Sequence, residues 1–238
     1  VKENLIDKNP CDLADKPKRT KYRGNFYNVE EINILLAIVK GTAIETPVYL
    51  ASYFGLRRSE LIGLRWSAID FVNQTLTVKH KVVNIKDKDG KMTTYATNDL
   101  KNESSYRELP LDDTLVTYLQ NLKRCQELNR KRNGDCHIND YNDYVCVNEL
   151  GDRIKPDSLT QLFGKIVKRN NLKHIRFHDL RHSCASLLLA LGYSMKDVQE
   201  WLGHSNYQTT ANFYSHIDPR NKKNMIASMS NALPICVC

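Results

Sequence analysis

The hydrophobic period of this chain changes twice, and that feature restricts its architecture more than any other. From Asn28 the apolar residues recur at helical spacing. NVEEINILLAIVKG has early carboxylates, an apolar face and a closing Gly41. TPVYLASYFGLRRSELIGLRW continues as a helix, a tight turn at Gly55 and a second helix from about Ser59, whose hydroxyl is placed to cap it. NQTLTVKHKVVNIKDKDGKMTTYATNDLK then alternates Thr, Val and Tyr with polar residues, and Asp89-Gly90 marks a hairpin. SYRELPL adds a third short strand ending at Pro110. Helical spacing returns in DTLVTYLQNLKRCQELNRKR, followed by the loop NGDCHINDYNDY, a short β-like DYVCVN and the helical SLTQLFGKIVKRNNL.

The last third is a run of short helices. HDLRHSCASLLLALG stops at Gly192. MKDVQEWLG opens with a capping box from Ser194 to Asp197 and stops at Gly203. SNYQTTANFYSHID is a further short helix. NKKNMIASMSNALPICVC closes the chain with Met225, Ile226, Met229 and Leu233 along one side. One block of strands among helices predicts the α+β class, mainly α-helical, with a small three-stranded antiparallel sheet.

Charge narrows the partner. The 238 residues carry a formal net charge of +8, which favours an acidic partner, with nucleic acid first. The basic runs KPKRTKYR, KRCQELNRKR and KIVKRNNLKHIR are solvated faces taken singly and candidate phosphate contacts on a DNA-acting protein. No apolar run is long enough to span a bilayer, and VKENLIDKNPCDLADKPKRTK lacks the apolar segment of a signal peptide, so a cytoplasmic location is expected. The seven cysteines are odd in number and irregularly spaced. They suit neither a disulfide framework nor a zinc site, and reduced, mostly buried thiols are expected.

The stretch RFHDLRHSCASLLLALG poses the chemical question. A helix bound for the core begins with His178, Arg181 and His182. Residues three apart share a helix face, which joins His178 to Arg181 and Arg57 to Glu60. His204 stands just past the helix end at Gly203, and Tyr207 and Tyr214 follow. Each has an ordinary reading alone. Arg57 would pair with Glu60 at a helix start, His178 would cap its helix, His204 would be a turn residue and Tyr214 a half-buried aromatic. Arg58 and Arg65 fit surface or DNA-backbone contacts, and His182 and His216 fit peripheral positions. Taken together, two arginine forks and two imidazoles would hold and neutralise a phosphodiester as it approaches five-coordination.

GLRRSELIGLRW, HDLRHSCASLLLALG and LGHSNYQTTANFYSH resemble the three signature boxes of the tyrosine recombinases, the phage-integrase family. The resemblance covers about residues 28–220. The TTxxxY-S-H spacing and the long hairpin look most like integrases of conjugative transposons. It implies a tyrosine-recombinase catalytic-domain fold that cleaves and rejoins DNA strands through a 3′-phosphotyrosine and a Holliday junction. In that scheme Arg57 and Arg181 clamp the scissile phosphate and Glu60 braces them. His178 exchanges a proton with the nucleophile, and His204 donates a further hydrogen bond. Tyr214 attacks phosphorus. A hairpin lysine protonates the 5′-hydroxyl leaving group. Lys101 fits by its place before Ser-x-Arg-x-Leu-Pro-Leu, and Lys91, beside the turn, is the rival. Many relatives carry the nucleophile nine residues after the Leu-Gly-His histidine, a place held here by Phe213. Tyr214 lies at ten, and Tyr207 is the fallback.

The scheme conserves bond energy and implies no metal, ATP or other cofactor. It implies double-stranded DNA as partner, a dimer to tetramer on DNA, and an excisionase or DNA-bending accessory protein. Residues 1–27 are expected to be a linker from an N-terminal core-binding domain outside this chain. Residues 28–220 are then the catalytic domain, and 221–238 a tail that docks on a neighbouring protomer. A type IB topoisomerase and a non-catalytic DNA-binding relative are the alternatives. Site-independent relaxation of supercoils would mark the first.

Overall fold

A computed structural model describes residues 9, 14, 25–86, 92–98 and 106–203. Helix α1 (Val29–Val39) starts at a capping box in which the Asn28 carboxamide accepts from the Glu31 N–H and Glu31 accepts from the Asn28 N–H. It buries Ile32, Leu35 and Val39 along one face. Just before it, Tyr27 is already in the core. Its N–H donates to the Ser183 hydroxyl and its own hydroxyl to the Lys173 carbonyl.

Helix α2 (Glu45–Phe54) ends at Gly55, whose φ of 58° is left-handed. A side chain there would also run into Leu202 and would lie 3.4 Å from the Cys184 sulfur. The turn therefore needs glycine for both conformation and space. It delivers the chain to α3 (Arg58–Ile62). Ser59 lies inside this helix and does not cap it. The residue before the helix is Arg57, whose N–H is accepted by Glu60. Glu60 reaches back over one turn to the residue before the helix.

The strands form two sheets. β1 (Ile69–Asp70), β2 (Thr75–Val78) and β5 (Arg107–Pro110) make a three-stranded antiparallel sheet in the order β1-β2-β5. Among the described residues, β3 (Lys81–Lys86) and β4 (Met92–Thr97) pair only with each other, from Lys81 opposite Thr97 to Lys86 opposite Met92. Asp89-Gly90 lies outside the described residues. In β5, period two places Arg107 on the buried face with Leu109, while Glu108 and Pro110 face out. The β-like DYVCVN contributes no strand, only the isolated bridges Arg65–Tyr144 and Val147–Arg153.

Helix α4 (Asp113–Asn133) buries Leu115, Val116 and Leu119 and then runs out into solvent. α5 (Pro156–Arg169) packs Leu159, Phe163 and Val167 inward. α6 (Asp179–Ala190) is buried along most of its first half, and α7 (Met195–Leu202) starts at the Ser194–Asp197 capping box and stops at left-handed Gly203. One core joins α1 through the start of α6, and a smaller cluster of Cys184, Ala185, Val198 and Leu202 binds α7 to α6. Cys146 and Cys184 are buried as expected, and burial pushes both thiols up to about 12. Cys125 and Cys136 are exposed, because the outer half of α4 and the turn after it have nothing packed on them at those positions. Among the described residues no helix is long and apolar enough to cross a membrane.

Candidate active site

The site starts at the Gly55 turn. Arg57 follows it in extended conformation and Glu60 stands one turn into α3. Arg57 Nη1 is paired with Glu60 Oε1, and Arg107 Nη2 approaches Glu60 Oε2 at 3.1 Å. The Glu60 side chain is 3% exposed. Burial alone would raise its carboxyl pKa. The charges of Arg107 and Arg57, with the Arg57 hydrogen bond, outweigh burial and hold it below the usual range. Glu60 is therefore an anion between two cations.

α6 supplies the second half. Arg181 is 2% exposed and spans two backbone carbonyls, Gly55 through Nη1 and Leu202 through Nη2, both at 2.7 Å. Both are chain-reversal carbonyls beside left-handed glycines, where helical partners run out. Burial and the nearby Arg57 charge lower its guanidinium to about 9, which leaves it charged at neutral pH. His178 sits at the N-terminus of α6 and is exposed. Desolvation by its surroundings, then the Arg181 charge, lowers its pKa below the usual histidine value, so the neutral ring dominates at pH 7. The His182 ring meets that of His178 edge-on at 5.5 Å, and burial, then the neighbouring His178 imidazole, pushes it down to about 4.

The two halves converge on the end of α7. Arg107 Nε donates to the Trp201 carbonyl at 2.9 Å, Arg181 to that of Leu202, and Arg57 Nη2 to that of Gly203 at 2.9 Å. Three consecutive carbonyls, at the negative end of a helix, each accept from a different guanidinium. The four side chains of this cluster carry three positive charges and one negative. The structure thus brings together Arg57, Glu60 and Arg181, with His178 one turn from Arg181 on α6. It also seats the residue from which the chain leaves toward His204. His204, Lys101, Lys91, Tyr207 and Tyr214 lie outside the described residues, as does the 221–238 tail.

Arg107 is the member of the cluster that sequence reasoning missed. The signal was present in SYRELPL, where Arg107 alternates in phase with Leu109 and Leu111 and so must point inward with them.

The model of the phage integrase family matches residues 26–221. The chain belongs to that family. Among its relatives in this family, the XerC-like tyrosine recombinase of Caldanaerobacter subterraneus subsp. tengcongensis is 31% identical over 97% of this chain and 62% of its own length. The ICEBs1 integrase of Bacillus subtilis is 27% identical over 98% of this chain and 61% of its own length. This integrase-family chain thus spans about three-fifths of each. The Tn1549 transposon integrase, solved with a circular-intermediate DNA, shares the fold with a TM-score of 0.72 at 21% identity, covering 96% of this chain and 73% of that one. XerA recombinase aligns with a TM-score of 0.62 at 21% identity, over 90% of this chain and 67% of that one. The tyrosine-recombinase catalytic-domain fold and the small antiparallel sheet expected from the sequence are both present.

Proposed function

We propose that this chain is the DNA-cleaving part of a site-specific tyrosine recombinase that integrates and excises a mobile element. The observation that carries this reading is the convergence of Arg57 and Arg181. They come from helices far apart in sequence and are held on adjacent carbonyls, Gly203 and Leu202. Two forks fixed side by side suit one phosphodiester, because planar guanidinium donors match phosphate oxygens in geometry and charge. Arg57 and Arg181 bind the scissile phosphate and Glu60 holds Arg57 in place. His178, kept neutral, accepts the phenolic proton of Tyr214. Tyr214 attacks phosphorus and forms a 3′-phosphotyrosine, while Lys101 gives a proton to the departing 5′-hydroxyl and His204 donates to a phosphate oxygen. A phenolate leaves more readily than an alkoxide, so the covalent step reverses and the strands rejoin without ATP or metal.

Double-stranded DNA at the element ends and target is the partner. The Tn1549 integrase complexes with DNA and the ICEBs1 integrase support a mobile-element role. Strand exchange runs through a Holliday junction in a dimer to tetramer, with an excisionase or DNA-bending protein setting direction. Residues 1–27 link to a core-binding domain, 28–220 form the catalytic domain, and the 221–238 tail docks in trans in the cytoplasm.

The test is covalent trapping. Nicked suicide duplexes cut from the DNA flanking the protein's own gene are incubated with it in EDTA and resolved on a denaturing gel. An adduct is expected, and peptide mapping should place the nucleotide on Tyr214. Mapping to Tyr207 would move the nucleophile. No adduct on any flanking duplex, with intact binding, would sink the enzymatic reading in favour of a DNA-binding relative.

The same assay reports on His178. Its lowered pKa means that the neutral ring survives to more acid pH than a free histidine's 6.5. The acid limb of single-turnover cleavage should therefore lie below pH 6.5. A limb at or above that value would contradict the role given to His178.

A further inference from the structure

Arg107 holds three separate parts of the molecule. Its backbone is in β5, paired with Val78 of β2, so the sheet fixes where the side chain starts. Its Nη2 meets Glu60 Oε2 at 3.1 Å and its Nε meets the Trp201 carbonyl at 2.9 Å. The side chain is 7% exposed, too enclosed to serve as a general surface contact for DNA. Glu60 pairs its other oxygen with the Arg57 guanidinium, while the Arg57 N–H donates to Oε2. Arg57 in turn reaches Gly203, two residues beyond the carbonyl that Arg107 holds. Sheet, Arg107, Glu60, Arg57 and the end of α7 thus form a closed ring of contacts. Breaking it at Arg107 takes the charged partner from Glu60 Oε2, which also accepts from the Arg57 N–H, and releases the Trp201 carbonyl at once.

We propose that Arg107 is a positioning residue for strand cleavage: through Glu60 it sets the plane of Arg57, and through Trp201 it seats the turn that leads to His204. This rests on the recombinase reading above. A guanidinium is required because only a fork reaches a carboxylate and a carbonyl in different directions from one buried position. Lysine keeps the charge, yet its single ammonium must give up one of the two. Displacement of Arg57 by about 1 Å is enough to cost roughly 10²-fold in rate.

The test is a double-mutant cycle on single-turnover adduct formation, using the nicked duplex that traps the wild type. Arg107→Lys is measured alone, with Arg57→Lys, and against Arg57→Lys alone, each with its melting curve and its affinity for uncut duplex. Arg107→Lys should cleave about 10²-fold more slowly with affinity unchanged. Because it acts through Arg57, the two losses should not multiply. The double variant should fall short of the product by about tenfold or more. A residue that only supports the fold would lower the melting point and give multiplicative losses, and that result overturns the proposal. Wild-type cleavage by Arg107→Lys overturns it as well. If Arg107→Lys does not fold, Arg107→Gln, an uncharged donor, takes its place in the cycle, and failure of both to fold makes Arg107 a folding residue only, against the proposal. Absence of an adduct from the wild type removes the recombinase reading and this inference together, whereas multiplicative losses on an active wild type remove the inference alone.

Discussion

Arg181→Lys should slow adduct formation by on the order of 10²–10³-fold and also lower the melting temperature, although it leaves the formal charge unchanged. The reason is geometric. The two terminal nitrogens of Arg181 each hold one carbonyl, Gly55 on one side and Leu202 on the other. A planar fork does this with little entropy lost per bond, and a lysine ammonium at the end of a flexible stem does not. One carbonyl in a buried turn is left without its donor. A buried hydrogen bond to a charged group is worth about 1.5–3 kcal/mol, which for a domain this size corresponds to a fall of roughly 3–12 °C. The charge itself is also at risk. Burial and the Arg57 charge already lower the guanidinium pKa, and a lysine, with a lower starting value and a more strongly hydrated ammonium, would lose more of its charged form there. The phosphate would then meet one fork in place of two. Single-turnover rates and melting curves on the same preparation decide the matter. A rate near that of the wild type would take Arg181 out of the chemistry and leave it a packing role.

Much of this site was legible in the sequence, and the part that was not has a common cause. Signals carried by a residue within its own turn were read correctly: the helix start near Asn28, the Ser194 cap, the glycine stops at Gly55 and Gly203, and the pairing of Arg57 with Glu60. Ser59 misled because the helix starts one residue earlier, at Arg58, which puts Ser59 inside its first turn. Alternation identified the strands but does not encode partners, so it could not show that β3 and β4 stand apart while SYRELPL joins β2. What the sequence hid best is the α7 end. Its three acceptors are backbone carbonyls, which look the same for every residue type, and their arginines lie 146, 94 and 21 residues away. Only Arg107 left a trace, as a charged residue in phase with a buried strand face. The ring contact of His182 with His178 was also written in the sequence, as an i,i+4 pair, and went unread.

Glu60→Ala should be the most destabilising single change in the site, by about 3–5 kcal/mol at neutral pH. Removing the carboxylate leaves Arg57, Arg107 and Arg181 as three cations around a buried gap, and removing one partner of a buried ion pair exposes the full desolvation of the other. Glu60→Gln tests the charge separately from the contacts. It still offers an oxygen to one arginine but turns an N–H₂ toward the other, so it should fall between alanine and the wild type. The pH dependence carries the sign. The folded-state pKa of Glu60 lies below the ordinary 4.5, so its contribution is complete above that value and fades as pH drops toward the folded pKa. The gap in melting temperature between wild type and Glu60→Ala should therefore be widest near neutrality and narrow on acidification below 4.5. A gap that stays constant with pH would mean that Glu60 acts by filling space. A loss under about 1 kcal/mol at neutral pH would mean that the arginines find other anions when it is gone, and the cluster would then be better described as a site that a ligand phosphate completes than as one that Glu60 holds together.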